Sequence, residues 1–322
     1  MSTYKLPLEP YPSRVLMDLS SDCNLKCPMC VVHGSTDDPK VNAIIKKHMK
    51  VTDAKQILDE IEGHTKTIGP GLWSEPLMGR DILMHLRSMK RRGFTISMNS
   101  NGLLMNKKMA SSLVEIDVDS ITVSVDATTN ETLSKIRGVE KLEKIEAHVK
   151  QLLAIRGDNP SPRIGVSFTK QPENVHEVQD FIDKWVEITD FVRIGEIFED
   201  GKFPHIDINH EQRKPCAELY ETMSIHTNGD VSICCLDGFK DVVVGNVVET
   251  SVKEVWQGEA MTKIREHHEN GEWDKVPFCK NCDRWASNIF EEKQEGNLLI
   301  RTSAEFTFYN RLDRLNSWKK CR

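Results

Sequence analysis

Six short apolar segments alternate with longer amphipathic ones between residues 14 and 198, and this alternation limits the possible folds more than any other feature of the chain. The short segments are rich in Val and Ile and are bounded by Gly, Asn, Asp or Pro, as β-strands are. They read RVLMDLS (14–20), KTIGPGL (66–72), FTISMN (94–99), SITVSV (120–125), RIGVSFT (163–169) and FVRIGEIF (191–198). Strands that alternate with helices form a parallel sheet with right-handed crossovers, so an α/β fold is predicted.

The segments between these strands carry apolar residues at helical spacing. Two of them are VTDAKQILDEIEGH (51–64), for which Thr52 is the predicted N-cap, and KLEKIEAHVKQLLAIR (141–156). Six strands are fewer than the eight of a closed barrel. The pattern alone therefore leaves an open sheet and a partial barrel as alternatives.

The alternating pattern of strands and helices ends near residue 200. A polar, proline-punctuated connection (200–215) leads into residues 216–285, which hold five cysteines and a turn sequence at Asn228-Gly229-Asp230. The last stretch contains EFTFYNRLDRLNSW, which is apolar enough to pack on the rest of the protein. We expect three parts: a core (1–200), a small metal-stapled module (201–285) and a packed tail (286–322).

Composition excludes several classes of function. The net charge of -6 over 322 residues argues against a general nucleic-acid binder. No apolar run approaches the ~18 residues that span a bilayer, and the N-terminus lacks the apolar core of a signal peptide. A cytoplasmic location without membrane or nucleic-acid partners is expected. Nine cysteines in a reducing compartment indicate metal ligands before disulfides.

The first cysteine cluster, CNLKCPMC, comes directly after the first strand. Active sites of parallel barrels lie at that end of the strands, and thiolates are the usual ligands of iron–sulfur clusters. Cys23, Cys27 and Cys30 would leave one iron of a four-iron cluster without a protein ligand. Structural zinc, with His33 as a fourth ligand, is the alternative.

A second set comprises Cys216, Cys234, Cys279 and Cys282. Gly229, between the first two, suits a turn with positive φ that would bring two strands and their cysteines together. Four thiolates can fully ligate an iron–sulfur cluster, and a four-cysteine zinc site is the alternative.

The C-x3-C-x2-C spacing resembles the motif of the radical S-adenosylmethionine (SAM) superfamily. The resemblance extends to Trp73-Ser74-Glu75-Pro76, Ser100-Asn101-Gly102 and Ser124-Val125-Asp126, at the ends of successive strands, and to Ile136-Arg137-Gly138, which follows the last of them. Ser74 stands where the family more often has glycine. The resemblance implies a partial (β/α)6 barrel and a four-iron cluster that cleaves SAM to start radical chemistry.

The same resemblance implies which residues bind SAM. Glu75 and the backbone of Trp73 and Ser74 would receive its amino group. Ser124 and Arg137 would hold its carboxylate or ribose. Asn101 belongs to the same set, and Met29 would contact the adenine through its backbone.

The second cysteine set is similar to the SPASM module and to its shortened form, the twitch module, both of which carry auxiliary four-iron clusters. Asn288 stands where the longer pattern has a further cysteine, so one auxiliary cluster is predicted, and two four-iron clusters in all. Cys235 and Cys321 are then spare. A spare cysteine is more often a small buried residue than a reactive thiol. The alternative is that Cys235 donates a hydrogen atom to a substrate radical.

The single-cluster arrangement resembles the alcohol dehydrogenases of the superfamily. It implies oxidation of an alcohol on a sugar, aminosugar or cyclitol, with the auxiliary cluster as electron acceptor and a flavodoxin or ferredoxin as electron donor. Arg193 and Glu196 on the sixth strand are candidates to assist loss of the hydroxyl proton, although they could instead form a plain ion pair.

Three alternatives stay open. A carbohydrate epimerase would return a hydrogen atom from a cysteine. A peptide-modifying enzyme often carries a leader-binding domain, for which residues 1–13 are too few. A binding module stapled by two zinc ions would need the motifs at the strand ends to be accidental.

Overall fold

The computed structural model describes residues 6–34, 39–42, 47–199 and 201–315. The strands in this part of the chain are β1 (Arg14–Met17), β2 (Thr67–Gly69), β3 (Thr95–Ser100), β4 (Ser120–Ser124), β5 (Arg163–Lys170), β6 (Phe191–Glu196), β7 (Thr222–Ile225), β8 (Asp230–Ser232), β9 (Val243–Asn246), β10 (Glu291–Glu295), β11 (Leu298–Thr302) and β12 (Phe306–Arg311). The helices are α1 (Pro39–Asn42), α2 (Val51–Ile61), α3 (Ile82–Arg91), α4 (Lys107–Glu115), α5 (Asn130–Arg137), α6 (Leu142–Arg156), α7 (Val178–Val186), α8 (Glu218–Glu221), α9 (Val252–Trp256) and α10 (Glu259–Glu269).

All described strands belong to one sheet, in the order β10-β11-β12-β6-β5-β4-β3-β2-β1-β7-β8-β9. Strands β1 to β6 are parallel neighbours in chain order, as the alternating pattern predicts. The sheet does not close, because β1 pairs on its outer side with β7 and β6 with β12. The predicted partial (β/α)6 barrel with a small C-terminal cysteine-rich module is confirmed.

The two faces of the parallel strands differ in chemistry. One face is apolar and packs on the helices, as where Phe168 of β5 contacts Phe181 of α7 with ring centroids 4.9 Å apart. The opposite face is small and polar. Its side chains include Ser97 and Asn99 of β3, which are exposed. This second face, which we call the polar face, is open to solvent at β3 and is the inner face of a partial barrel.

The cysteine-rich module continues the sheet beyond β1. Strand β7 pairs with β1 in parallel, and β8 and β9 follow in antiparallel order. Gly229 occupies the predicted turn with φ +87°, a conformation that glycine adopts without strain. The guanidinium of Arg14 bonds the buried carboxylate of Glu218 at 3.0 Å, so β1 and the module share a partly buried ion pair as well as a ladder.

The opposite edge of the sheet is built from the C-terminal part of the chain. Strands β10, β11 and β12 form an antiparallel meander, and β12 pairs with β6. These strands were not predicted from the sequence, because β10 reads EEKQE and is exposed throughout. Charged residues on an edge strand protect it from pairing with other chains.

The N-cap prediction for α2 is wrong. The helix begins at Val51, its N-cap residue is Lys50, and the hydroxyl of Thr52 donates to the Asp53 carboxylate at 3.0 Å instead. Helix α6 forms nearly as predicted, between Leu142 and Arg156. Among the described residues, no helix has both the length and the apolar character needed to cross a membrane.

Candidate active site

The first cysteine cluster forms a compact turn after β1. The N–H of Cys30 donates to the carbonyl oxygen of Cys27 at 2.9 Å, and the N–H of Gly34 donates to the Cys30 carbonyl at 2.7 Å. A Cβ on Gly34 would lie 2.5 Å from that carbonyl oxygen, so only glycine fits. The N–H of His33 donates to the Cys30 sulfur at 3.3 Å. Hydrogen bonds of this kind are common around iron–sulfur clusters.

Burial favours the protonated form of two of these thiols, Cys23 and Cys27, in the absence of a cation. It raises the pKa of Cys23 to about 11. It also raises the pKa of Cys27, although the nearby guanidinium of Arg137 acts to lower that pKa. Arg137 is itself buried in an ion pair with Asp126. A bound metal ion removes such protons, because thiolates are its ligands. The donor set therefore fits an iron–sulfur cluster beside a positive charge.

Glu75, in the loop after β2, is buried and its carboxylate is already bonded within the fold. It accepts hydrogen bonds from the Ser100 hydroxyl at 2.9 Å, the Asn101 N–H at 2.7 Å and the Leu77 N–H at 3.2 Å. A carboxylate offers about four acceptor sites, so one is left. Asn101 is similarly engaged, since its side chain bonds Asn24 at 2.7 Å. The SAM contacts of both residues stay predictions.

Asp18 is a buried acid at the end of β1 that the sequence analysis missed. Its carboxylate accepts the Leu72 N–H at 2.7 Å and the Ser74 hydroxyl at 2.8 Å. Burial raises its pKa to about 6. Asp18, Trp73 and Ser74 together line a cavity of about 390 Å³, and His33 lies on the same wall. A buried acid of raised pKa in a cavity is typical of functional sites.

Trp73 connects this cavity to the cysteine-rich module. Its indole N–H donates to the carbonyl oxygen of Cys235 at 2.9 Å. Gly238 packs against the indole so closely that a Cβ there would lie 2.8 Å from the Trp73 Nε1 atom and 2.4 Å from Val32. The loop after Cys27 and Cys30 and the module are therefore in direct contact.

Met29 and Ser124 lie near β5 and its following loop. The side-chain amide of Gln171 donates to the Met29 sulfur at 3.4 Å, and the Ser167 hydroxyl donates to that of Ser124 at 3.3 Å. Their predicted roles in SAM binding remain predictions.

Arg193 and Glu196 do not form the ion pair that the sequence left as an alternative. They are three positions apart on β6, so their side chains leave opposite faces of the strand. Glu196 pairs with Lys170 of β5. Arg193 is on the polar face, with its guanidinium 5.0 Å from the centroid of the Phe306 ring. Among the described residues it has neither a hydrogen bond nor an ion pair.

The second cysteine set comes together in the fold. One small apolar cavity is lined by Cys216, Cys234, Cys279 and Cys282. Burial raises the pKa of Cys216 and Cys234 well above the usual value and that of Cys279 to about 12. The Cys282 sulfur accepts the N–H of Arg284 at 3.4 Å. Four thiols around one cavity fit a single cluster.

Two other features of this cavity bear on what it could hold. The buried Nε2 atom of His268, a residue that lines the cavity, has no hydrogen-bond partner within the described ranges. No group of three or more His, Cys, Asp or Glu side chains in that part of the chain is arranged to hold a metal ion. Thiolates that bind a four-iron cluster each coordinate a different iron, so they are spaced more widely than the ligands of a single metal ion. Cys321 lies outside the described residues.

Comparison with known families matches residues 17–184 to the radical SAM superfamily and residues 216–283 to SPASM, an iron–sulfur cluster-binding domain. Among curated proteins, the chain is 30% identical over 166 residues to a probable GTP 3',8-cyclase of Saccharolobus islandicus, covering 51% of this chain and 50% of that protein. The chain thus matches about half the length of that relative. It is 24% identical over 314 residues to a tungsten-containing aldehyde ferredoxin oxidoreductase cofactor-modifying protein of Pyrococcus furiosus, covering 83% of this chain and 86% of that protein.

Among the solved structures that share the fold are BtrN and SuiB. BtrN in complex with AdoMet and 2-DOIA gives a TM-score of 0.57 at 16% identity and covers 84% of this chain and 92% of BtrN. SuiB of Streptococcus suis bound to precursor peptide SuiA gives a TM-score of 0.61 at 17% identity and covers 80% of this chain and 67% of SuiB. At these identities the likeness concerns the fold alone.

Proposed function

Because this chain belongs to the radical SAM superfamily and carries an iron–sulfur cluster-binding SPASM domain, we propose that it oxidises an alcohol on a sugar, aminosugar or cyclitol. Its radical SAM domain binds SAM and a four-iron, four-sulfur cluster, and its SPASM domain binds auxiliary iron–sulfur. When bound, these groups supply a 5′-deoxyadenosyl radical that takes a hydrogen atom from carbon and an acceptor for the electron left behind. The residues of the chain position the substrate and manage its proton.

Seven thiols would hold the two clusters. The first would be bound by the turn after β1, and the second by the cavity of the module, where four thiols are enough for one cluster. The proposed ligands are Cys23, Cys27 and Cys30 for the SAM-binding cluster, and Cys216, Cys234, Cys279 and Cys282 for the auxiliary one.

Arg137 is the strongest candidate for the SAM carboxylate. Asp126 orients its guanidinium, and the fixed charge acts on the thiols of Cys23 and Cys27, two of the proposed ligands of the SAM-binding cluster. A guanidinium matches a carboxylate in a bidentate geometry that lysine does not reproduce. The Ser124 hydroxyl, on the polar face, is the proposed second contact of the SAM carboxylate.

The proposal of a hydroxylated substrate rests on the side chains of the polar face of β3 to β6. Ser97 and Asn99 present an exposed hydroxyl and amide, and Ser124 and Ser167 continue the row across β4 and β5. A substrate with several hydroxyl groups could satisfy these donors and acceptors. An apolar substrate would leave them desolvated and unpaired, which is costly.

Arg193 supplies the only unpaired guanidinium on the described part of this row. It is the register partner of Ser167 and faces Asp126, whose carboxylate is taken by Arg137. Burial lowers its pKa to about 10, so it stays charged at neutral pH. A cation at this position would stabilise the developing alkoxide when the substrate hydroxyl loses its proton.

Glu196 is the proposed proton acceptor on the same strand. Lys170 holds its Oε1 atom, while Oε2 is buried and has no hydrogen-bond partner in the described part of the chain. Because Glu196 and Arg193 leave opposite faces of β6, proton transfer between substrate and Glu196 would need a water or a shift at the end of the strand.

The test begins with the anaerobically reconstituted full chain. About eight iron and eight sulfide per chain are expected for two four-iron clusters. The protein is then given SAM, a reductant and a panel of sugars, aminosugars and aminocyclitols. The proposal predicts 5′-deoxyadenosine and a carbonyl product in equal amounts. Iron near four per chain, or 5′-deoxyadenosine without any carbonyl product across the panel, would contradict it.

An epimerase is the second candidate, supported by the position of Cys235 beside Cys234. Burial raises the pKa of the Cys235 thiol to about 11, so at neutral pH it keeps the S–H bond from which a hydrogen atom could be returned. Turnover in deuterated solvent separates the two reactions. Deuterium on the product carbon, lost in the Cys235→Ala variant, would favour the epimerase.

A peptide substrate is the third candidate, supported by the fold shared with SuiB bound to its precursor peptide. Peptide and nucleotide panels, the latter because of the similarity to a GTP 3',8-cyclase, belong in the same assay. Flavodoxin and ferredoxin are the proposed electron donors, and replacing the chemical reductant with each tests them.

A further inference from the structure

His268 lies on α10 and is almost completely buried, at 1% exposure. It lines the cavity that the four cysteines of the module share. Its Nδ1 atom accepts the backbone N–H of Cys216 at 3.4 Å. The ring is therefore fixed against one of the proposed cluster ligands.

This hydrogen bond determines where the ring proton is. Because Nδ1 is the acceptor, a neutral imidazole must carry its proton on Nε2. Nε2 is buried and has no hydrogen-bond partner among the described residues. A buried donor without an acceptor is unfavourable and is rarely left so in a native protein.

Among the described residues that line this cavity, Glu218 is the one carboxylate, and its oxygens are already held by two guanidinium groups. Arg213, which also lines the cavity, is only a donor and lies over the ring of Trp273 at 4.5 Å. The Trp273 ring meets His268 edge to face, with centroids 5.1 Å apart. The cysteine sulfurs, or a cluster bound to them, are the acceptors that the cavity can provide.

We infer that the Nε2–H of His268 donates a hydrogen bond to a sulfur of the auxiliary cluster and raises the reduction potential of that cluster. The inference rests on the proposed function, which places one cluster in this cavity. A donor to cluster sulfur stabilises the reduced form, because reduction adds negative charge there. His268 is thus a positioning and tuning residue for the electron acceptor.

The experiment isolates the auxiliary cluster in a full-length chain in which Cys23, Cys27 and Cys30 are replaced by Ala. His268→Leu and His268→Gln are then compared with the unmodified His268 background by redox titration followed by electron paramagnetic resonance. His268→Leu should lower the ratio of reduced to oxidised cluster at a given potential by about tenfold, which is about 59 mV for one electron. His268→Gln, which keeps an N–H donor, should recover part of that shift.

His267→Gln is the matched control, because the neighbouring ring bonds Glu272 at 2.8 Å instead of a cysteine. It should leave the midpoint unchanged. A small hyperfine coupling to ¹⁵N-labelled His268 in the reduced cluster is the second readout and does not depend on the Leu variant folding. An unchanged midpoint in both His268 variants, or a coupling large enough for direct Fe–N ligation, overturns the inference. A background that binds no cluster overturns the proposed function as well, whereas a bound cluster that His268 does not influence overturns the inference alone.

Discussion

The indole N–H of Trp73 and the carbonyl oxygen of Cys235 are 2.9 Å apart and joined by a hydrogen bond, which links the loop after β2 to the residue next to a proposed cluster ligand. Trp73 also lines the cavity that contains Asp18 and Ser74. The same side chain therefore contacts both the proposed SAM edge and the module.

Trp73→Phe should weaken SAM binding and also lower stability. Loss of one hydrogen bond costs about 1 kcal/mol of unfolding free energy, and misplacement of the loop should weaken SAM binding about fivefold. Trp256→Phe removes an equivalent bond, from the indole to the Glu9 carbonyl at 3.0 Å, and Trp256 does not line the cavity that contains Asp18. Denaturant unfolding and SAM titration should show a stability loss in both variants and an affinity loss only in Trp73→Phe. Equal SAM affinity in the two would refute the connection.

Asp18 should make the stability of the protein fall as the pH rises between about 3.8 and a little above 6. Burial raises its pKa from 3.8 to about 6, so the folded protein binds this proton more tightly than the unfolded chain. The stabilisation is complete below pH 3.8 and is lost as the pH rises through about 6. Relative to Asp18→Asn, the wild type should lose about 1 kcal/mol between pH 5 and pH 8. Thermal unfolding of both proteins across this range measures the difference, and parallel curves would mean that Asp18 does not titrate there.

Arg193→Met should slow substrate turnover by at least about 100-fold, the usual size of an electrostatic contribution to catalysis. Cleavage of SAM without substrate should be nearly unchanged, because Arg193 is not among the proposed SAM contacts. Arg193→Lys keeps the charge and should recover part of the rate. Comparison of 5′-deoxyadenosine formed with and without substrate checks both statements. Loss of substrate-free cleavage in Arg193→Met would reassign this residue to SAM binding.

Asp190→Ala should destabilise the protein by about 3–5 kcal/mol, as expected when one partner of a buried ion pair is removed. Asp190 accepts from Arg156 at 2.5 Å, from the Ile164 N–H at 2.7 Å and from Arg314 at 3.0 Å, so it joins α6, β5 and the C-terminal segment. Glu131→Gln breaks an exposed pair with Lys135 and should change the stability far less, because solvent screens such pairs. Urea unfolding of the two variants should separate them clearly. A small effect of Asp190→Ala would mean that water replaces its partners.

The six parallel strands could be predicted because each is a short β-branched run with a turn residue at its end. The meander could not be predicted in the same way. Strand β10 has no apolar face, and its pairing depends on β11 and β12. Pattern and propensity describe a strand by what it buries, so a fully exposed edge strand gives no such signal.

The residues of the candidate site were likewise predictable from the sequence only in part. The cysteine spacing is local in sequence, and the fold brings the second set to one cavity as expected. Asp18 and His268 were missed because their importance depends on burial and on an unsatisfied ring nitrogen, which are properties of the packed chain. The idea that Arg193 pairs with Glu196 could have been rejected from sequence, since positions three apart on a strand face opposite ways.

The parallel pairing of β1 with β7 also has a consequence for the order in which the protein assembles. Arg14 bonds a partner in β7 that is 208 residues further along the chain. During synthesis at about 5–20 residues per second, β1 would wait roughly ten to forty seconds before that partner is made. Until then one edge of the growing sheet stays open to pairing with other nascent chains. The cysteine-rich module is therefore also the piece that closes the vulnerable N-terminal edge.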